Sequence, residues 1–429
     1  MARRRSSNSV QSAQRSAPKP STPPRESVAV IPRSEFGKSL VNWLFPAYVL
    51  MIAFGYGVLV TGAGTVRGNE IGSDRCLFHV INAATLTGFS ATIGVHEFTI
   101  VGQTLSLLLM VGGAMFSLVV GGLAMTRILR LPYSDGHVIG ASVVLLAIAG
   151  VGGGAVLMVT GHGFFDSIFL AVSCFANCGL TSGGDPSSGS AITHLLLLPL
   201  SILGGMGVTV LLELCDVVRR RSKLSVHAST TLAGLAVVYV VGFVALLVLQ
   251  WPDGFLSSDG WRDLLASTSA MSINSRSLGL PLEYATSLSR SVVWMLIVLM
   301  TIGAGSGGTA GGLKVSTLAE LLRGVRSALT GKPISRGFGI AMVWIGIYAV
   351  LALITQLLLL HQADKMPADR IFFLSISALS NVGLSHDPLS ITRDGLYTLS
   401  AAMFAGRVAP LLVLWWMADT TTDADVAVG

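Results

Sequence analysis

Thr85-Leu86-Thr87-Gly88-Phe89-Ser90 closes a short apolar segment that begins at Asp74, and three further stretches repeat its form. Asn177-Cys178-Gly179-Leu180-Thr181 follows a segment from Asp166, Ser277-Leu278-Gly279-Leu280 one from Asp263, and Asn381-Val382-Gly383-Leu384-Ser385 one from Asp369. The central glycines recur about every 100 residues, a period that marks an internal repeat. The rest of the chain reads as the frame of that repeat.

Composition sets the medium. Of 429 residues, 52% are hydrophobic and only 12% charged, with a mean hydropathy of +0.71, more apolar surface than one water-soluble core could hide. The chain is therefore an integral membrane protein, and its 49 glycines suit close helix packing and covered helix breaks. Cys76, Cys174, Cys178 and Cys215 show no paired spacing, which excludes a disulfide framework and a zinc site. His79, His194 and His361 have no second ligand at metal spacing, so no transition metal is expected. The net charge of +6 comes from basic residues beside apolar segments, a membrane-topology signal and not a nucleic-acid footprint. No nucleophile, base or metal cluster supports an enzyme.

Residues 1–38 are rich in Ser, Pro and Arg and are expected to form a disordered, basic cytoplasmic tail. Then apolar segments recur in the order long, half-length, long: 40–66, 76–86 and 101–126; 138–160, 164–176 and 191–212; 228–250, 261–273 and 291 onward; 338–360, 371–380 and 396–417. A half-length segment makes a helix of roughly 16 Å, about half a bilayer core, and must be re-entrant. The expectation is an all-α membrane protein of four membrane-pore loop-membrane repeats (39–130, 131–223, 224–332 and 333–429). Eight spanning helices and four re-entrant half-helices would stand with pseudo-four-fold symmetry around a central ion pore. Lys and Arg gather in the tail and in the 127–130, 219–223 and 314–336 links, which places both termini in the cytoplasm and the half-helices entering from outside. Trp43, Trp251, Trp261, Trp415 and Trp416 read as membrane-interface anchors.

Four glycine loops meeting on one axis would offer carbonyl oxygens in place of an ion's hydration shell. Half-helices aimed at that axis present their partly negative C-termini, which favours a cation. Asp74, Asp166, Asp263 and Asp369 read as caps at the helix starts, not as ion ligands.

A second feature is Thr301-Ile302-Gly303-Ala304-Gly305-Ser306-Gly307-Gly308-Thr309-Ala310-Gly311-Gly312-Leu313-Lys314, whose glycines should break the helix that carries them. It contains a GxGxxG string, but no strand precedes it, and Leu313 separates Gly312 from Lys314, so neither a dinucleotide loop nor a Walker A motif fits. Arg407, deep in the last long segment with no acid at that depth in another span, needs a partner, and the freed carbonyls of the 303–312 loop would supply one.

This layout of four loops with one glycine each resembles the KtrB/TrkH family of bacterial potassium uptake proteins over residues 40–417, and the eight spans resemble the KtrB branch in particular. The resemblance implies K+ binding by the main chain at Leu86, Thr87, Gly88 and Phe89; Asn177, Cys178, Gly179 and Leu180; Ser277, Leu278, Gly279 and Leu280; and Asn381, Val382, Gly383 and Leu384. Arg276 matches the arginine usual before the third filter. Retention of all four glycines goes with potassium permeation, although the residue after the glycine is Phe in the first unit and Leu in the other three. The resemblance further implies a gate made by Gly303, Gly305, Gly307, Gly308, Gly311, Gly312 and Lys314 together with Arg407. It also implies a homodimer in the bacterial plasma membrane, embedded in lipid and docked on a cytoplasmic, KtrA/TrkA-like nucleotide-binding ring subunit, with no organic cofactor and no nucleic-acid partner. The competing expectation is a secondary sodium- or proton-coupled cation symporter, which ordinarily carries acids at the midplane that these spans lack.

Overall fold

A computed structural model describes residues 35–62, 71–90, 94–220, 223–254, 260–282, 288–362, 366–386 and 391–420. Most of the expected tail therefore lies outside the described residues, but its last four belong to α1 (Glu35–Val60). The body from Ser34 to Gly429 is one compact unit. Among the described residues it contains helices and one isolated β-bridge.

The expected order long, short, long is intact in the first and last runs of helices and is broken between them. After α1 come α2 (Ser73–Ala84) and α3 (Ile100–Ile128). Next, α4 (Asp135–Ala147) runs through a π-turn into α5 (Gly153–Val159), followed by α6 (Phe164–Ala176), α7 (Leu198–Met206) and α8 (Val208–Arg220). Then follow α9 (Val226–Gly254), α10 (Gly260–Ile273), α11 (Arg290–Thr301) and α12 (Val315–Leu329), and finally α13 (Arg336–Gln362), α14 (Ala368–Leu379) and α15 (Arg393–Thr420). Hydroxyl caps start several of them: Thr99, Ser134 and Ser289 accept from the backbone N–H of Gly102, His137 and Val292.

Among the described residues six helical runs, α4 and α5 forming one of them, are long and apolar enough to cross a membrane, or seven if the bent pair α7 and α8 counts as one. The continuous span expected over 191–212 is instead turned by 103° at Gly207, which has φ +91°. The span expected from 291 onward ends at Thr301, and α12 resumes only at Val315, after the glycine run. Burial separates inner from outer helices. The spans of α1, α9 and α13 are only 17–22% buried, whereas α3 is 72% buried. A bilayer would meet the first set.

The short helices α2, α6, α10 and α14 each carry their aspartate in the first turn. Gly72, Gly163 and Pro367, not the aspartates, occupy the N-cap positions of α2, α6 and α14, without a side-chain cap bond. The expected caps thus act through the helix dipole. Asp166 also accepts a hydrogen bond from the Ser182 hydroxyl at 2.7 Å, tying the start of α6 to the segment beyond its filter loop. Trp43, Trp251, Trp261 and Trp416 are exposed as anchors should be, but Trp415 is buried, with the Arg127 guanidinium 4.6 Å above its ring.

Candidate functional site: a ring of four glycine loops over a buried loop

The C-terminal ends of the four short helices deliver their glycines with left-handed φ: +87° at Gly88, +76° at Gly179, +66° at Gly279 and +84° at Gly383. L-residues reach that region only at a cost, and here the space is closed as well. A Cβ on Gly88 would strike the Cys178 carbonyl, one on Gly179 the Leu278 carbonyl, one on Gly279 the Val382 carbonyl, and one on Gly383 the Thr87 carbonyl. Each glycine therefore abuts the residue preceding the glycine of the next unit, and the fourth returns to the first. The loops close a ring in chain order. Leu86, Thr87, Phe89, Asn177, Cys178, Leu180, Leu278, Leu280, Asn381 and Val382 are all buried around it, and Leu384 is partly exposed. Phe89 differs from its leucine counterparts because its ring packs on Phe78, 5.9 Å between centroids, in a cluster with Ile371 and Leu399 of the fourth unit.

The quarters are not equivalent. Leu86, Asn177 and Asn381, two residues before their glycines, are themselves left-handed. In those three units the N–H of the next residue reaches back five positions, from Thr87 to Asn82 O, Cys178 to Ser173 O and Val382 to Ser377 O, at 2.9–3.0 Å. In the third unit a π-turn, Asn274–Leu278, runs straight into the loop, and Gly279 N–H itself makes the corresponding bond to Asn274 O at 3.2 Å. That quarter reaches the ring with one residue fewer.

Side chains hold the loops in two ways. Asn82 donates to Phe89 O and accepts from Phe89 N–H, both at 2.9 Å, and Asn274 does the same to Leu280, both at 2.8 Å. Asn177 and Asn381 instead tie their loops to α7 and α15 and to a neighbouring loop. Asn177 Nδ2 donates to Ser201 O at 3.0 Å and to Thr309 Oγ1 at 2.8 Å. Asn381 Nδ2 donates to Met403 O at 2.9 Å and to Thr87 Oγ1 at 3.0 Å.

The glycine-rich loop lies beside this ring, where α11 has ended. A parallel bridge between Ile302 and Leu313 ties its base, with Gly303 N–H to Leu313 O at 2.8 Å and Leu313 N–H to Thr301 O at 2.9 Å. The bend at Gly207 leaves the last carbonyls of α7 without helical partners. The loop supplies them: Gly305 N–H donates to Gly205 O at 2.9 Å and Thr309 N–H to Gly204 O at 3.1 Å. Backbone meets backbone throughout, since a Cβ on Gly307 would press on Gly121, one on Gly308 on Gly205 O, and one on Gly311 on Ser380 O. Gly312 turns the loop back beside Gly303 with φ +67°.

Three cations brace the loop. Arg276 donates to Gly303 O at 2.9 Å, and half-buried Lys314 donates from Nζ to Ala310 O at 2.5 Å. Arg407, 4% exposed, donates from Nη1 to Thr309 O at 2.6 Å. The expectation placed Arg407 on the loop alone, but it also donates from Nε to Thr85 O at 2.8 Å and from Nη2 to Leu86 O at 3.4 Å, bridging the 303–312 loop and the first quarter of the ring. A cavity of about 130 Å³ opens between the loop, α13 and α15, lined by Gly311, Lys314, Tyr348, Leu379, Arg407 and Pro410.

Asn82, Asn274 and Thr309 escaped the sequence reading. Thr309 is the hub of the loop: its N–H caps α7, its hydroxyl donates to Phe175 O at 3.1 Å and accepts from Asn177, and its carbonyl accepts from Arg407. A hydroxyl residue in a run of glycines was the available signal.

No family model matches the chain. Among curated proteins it is 27% identical over 387 residues to the Ktr system potassium uptake protein B of Bacillus subtilis, covering 80% of this chain and 85% of that one. The structure of the potassium transporter TrkH from Vibrio parahaemolyticus superposes with a TM-score of 0.68 at 15% identity, covering 91% and 85% of the two chains, which establishes a shared fold. The chain is similar to potassium uptake proteins in sequence and to TrkH in fold. The potassium/sodium uptake protein NtpJ of Enterococcus hirae is also similar, 28% identical over 272 residues and 59% of each chain. These relatives are uptake proteins and transporters, not enzymes.

Proposed function

We propose that this chain takes up potassium across the plasma membrane, passing the dehydrated ion through the ring of four glycine loops and gating it with the 303–312 loop. The observation that carries this reading is the ring itself, closed in chain order, with Arg407 joined at once to the first quarter and to the loop beside it. The names of the sequence relatives supply the ion. On this reading the four units are pseudo-four-fold repeats, the bent pair α7 and α8 and the broken pair α11 and α12 complete eight crossings, and both termini face the cytoplasm.

The main-chain oxygens of the loops replace water around the ion, and the negative ends of α2, α6, α10 and α14 favour its charge. Negative-inside potential drives entry at about 2.3 kcal/mol per charge per 100 mV. Arg407 and Lys314 place positive charge against the loop, so an ion passes only when the loop withdraws, and the cavity between loop, α13 and α15 gives it room to do so. A cytoplasmic nucleotide-binding ring subunit would bias that movement, with two copies of this chain seated on it. Expression in a cell lacking potassium uptake, alone and with such a ring subunit, tests the proposal: growth should be rescued at low external potassium. Failure to rescue even with the ring subunit would overturn it. Sodium-dependent rescue would favour a coupled symporter.

A further inference from the structure

The two modes of loop attachment carry a consequence for ion choice. Asn82 and Asn274 lie in or at the end of their short helices and bond both backbone groups of the residue after the glycine. At the position of Asn82, the second and fourth units carry Ser173 and Ser377, whose buried hydroxyls have no partner. A serine is too short to reach where the asparagine does.

Peptide planarity makes the asparagine bond an orienting device. The N–H of Phe89 shares one trans peptide with the carbonyl of Gly88, so the two point in opposite directions. Because Phe89 N–H is drawn to Asn82 Oδ1, the Gly88 carbonyl is turned away from its own short helix. Leu280 N–H on Asn274 Oδ1 does the same for the Gly279 carbonyl. A peptide after glycine is otherwise free to flip, since glycine tolerates both signs of φ. Gly88 and Gly279 belong to the first and third quarters, which stand opposite each other in a ring closed in chain order.

We infer that Asn82 and Asn274 are specificity-determining positioning residues that hold a diagonal pair of glycine carbonyls toward the ion, while the second and fourth quarters are held by asparagine bonds to α7, α15 and neighbouring loops. The filter is then two-fold in its rigidity although four-fold in its backbone. This rests on the filter reading above, and it further assigns the discrimination between cations to two amides that face away from the ion path.

The test is the relative flux of K+, Rb+, Na+ and Li+ into liposomes containing the purified full chain. Asn82→Ser with Asn274→Ser installs the residue that the other two quarters already carry. The ratio between the preferred ion and its nearest competitor should fall about tenfold, the equivalent of about 1.4 kcal/mol of lost orientation, within the range for a buried hydrogen bond. Ser173→Ala and Ser377→Ala, which remove hydroxyls without partners, should leave the ratio alone. An unchanged ratio in the double variant overturns the inference, as does a loss of thermal stability with the ratio intact, which would make the amides merely structural. If the double variant yields no folded protein, Asn82→Ser alone decides by the same ratio. The preferred ion of the unsubstituted chain is read in the same experiment, so a failure of the potassium reading is seen separately from a failure of the clamp.

Discussion

Replacing Thr309 with Val removes one hydroxyl from the centre of the proposed gate and leaves its backbone contacts to Gly204 and Arg407 in place. The hydroxyl makes two buried bonds, to Phe175 O at 3.1 Å and from Asn177 Nδ2 at 2.8 Å, and Thr309 is fully buried. The groups left behind are not wholly orphaned: Asn177 Nδ2 keeps Ser201 O at 3.0 Å, and Phe175 O keeps a longer contact of 3.4 Å from the same amide. The cost therefore falls at the lower end for two lost buried bonds, about 2 kcal/mol. Charged against the closed loop, that shifts its equilibrium toward the withdrawn state about 30-fold, since 1.4 kcal/mol is about a factor of ten. The assay is basal potassium flux into liposomes with no regulatory subunit present. Flux should rise toward that factor in Thr309→Val and stay near the original in Thr309→Ser, which keeps the hydroxyl. Unchanged or lower flux in Thr309→Val, with protein that remains monodisperse, would refute the assignment of Thr309 to the gate.

Arg407→Ala removes three donor bonds that join loop and first filter quarter, and basal flux should increase; Arg407→Lys should not restore closure, because a lone ammonium cannot bridge three separated carbonyls as a planar guanidinium does. Gly207→Ala places a side chain at φ +91° and against the Ser306 carbonyl, so the loop should lose its seat on α7 and basal flux should rise, read in the same liposomes. Gly383→Ala drives a methyl into the Thr87 carbonyl at φ +84°, and selective potassium flux should collapse in a flux-ratio measurement while the protein still assembles in the membrane.

The four short helices with their glycine loops were legible because their marks are local: an aspartate, a half-length apolar run and a glycine each announce themselves in single residues. The break between Thr301 and Val315 was legible for the same reason, as a continuous helix cannot absorb so many glycines cheaply. The bend at Gly207 was not, because Gly204-Gly205-Met206-Gly207 is also an ordinary small-residue packing face in a membrane helix. What makes it a bend is a distant donor set, the N–H groups of Gly305 and Thr309, and that pairing has no trace in the spacing of either segment. Asn82 and Asn274 hid in the same way, since they stand at different distances from their glycines and become equivalent only after the π-turn in the third unit is taken into account. Arg407 was found by its cost in an apolar helix, but a charge names only its need for partners, and two of its three carbonyls belong to the first glycine loop of the ring and not to the 303–312 loop.

The central claim is that the ring of four glycine loops selects potassium. Purified protein in liposomes, with an outward potassium gradient and a potential-sensitive dye, tests it most directly. The expected result is a potential close to the potassium equilibrium value, little changed by equimolar external sodium and abolished by Gly383→Ala. A potential that follows sodium as closely as potassium, or one that survives Gly383→Ala unchanged, would contradict it.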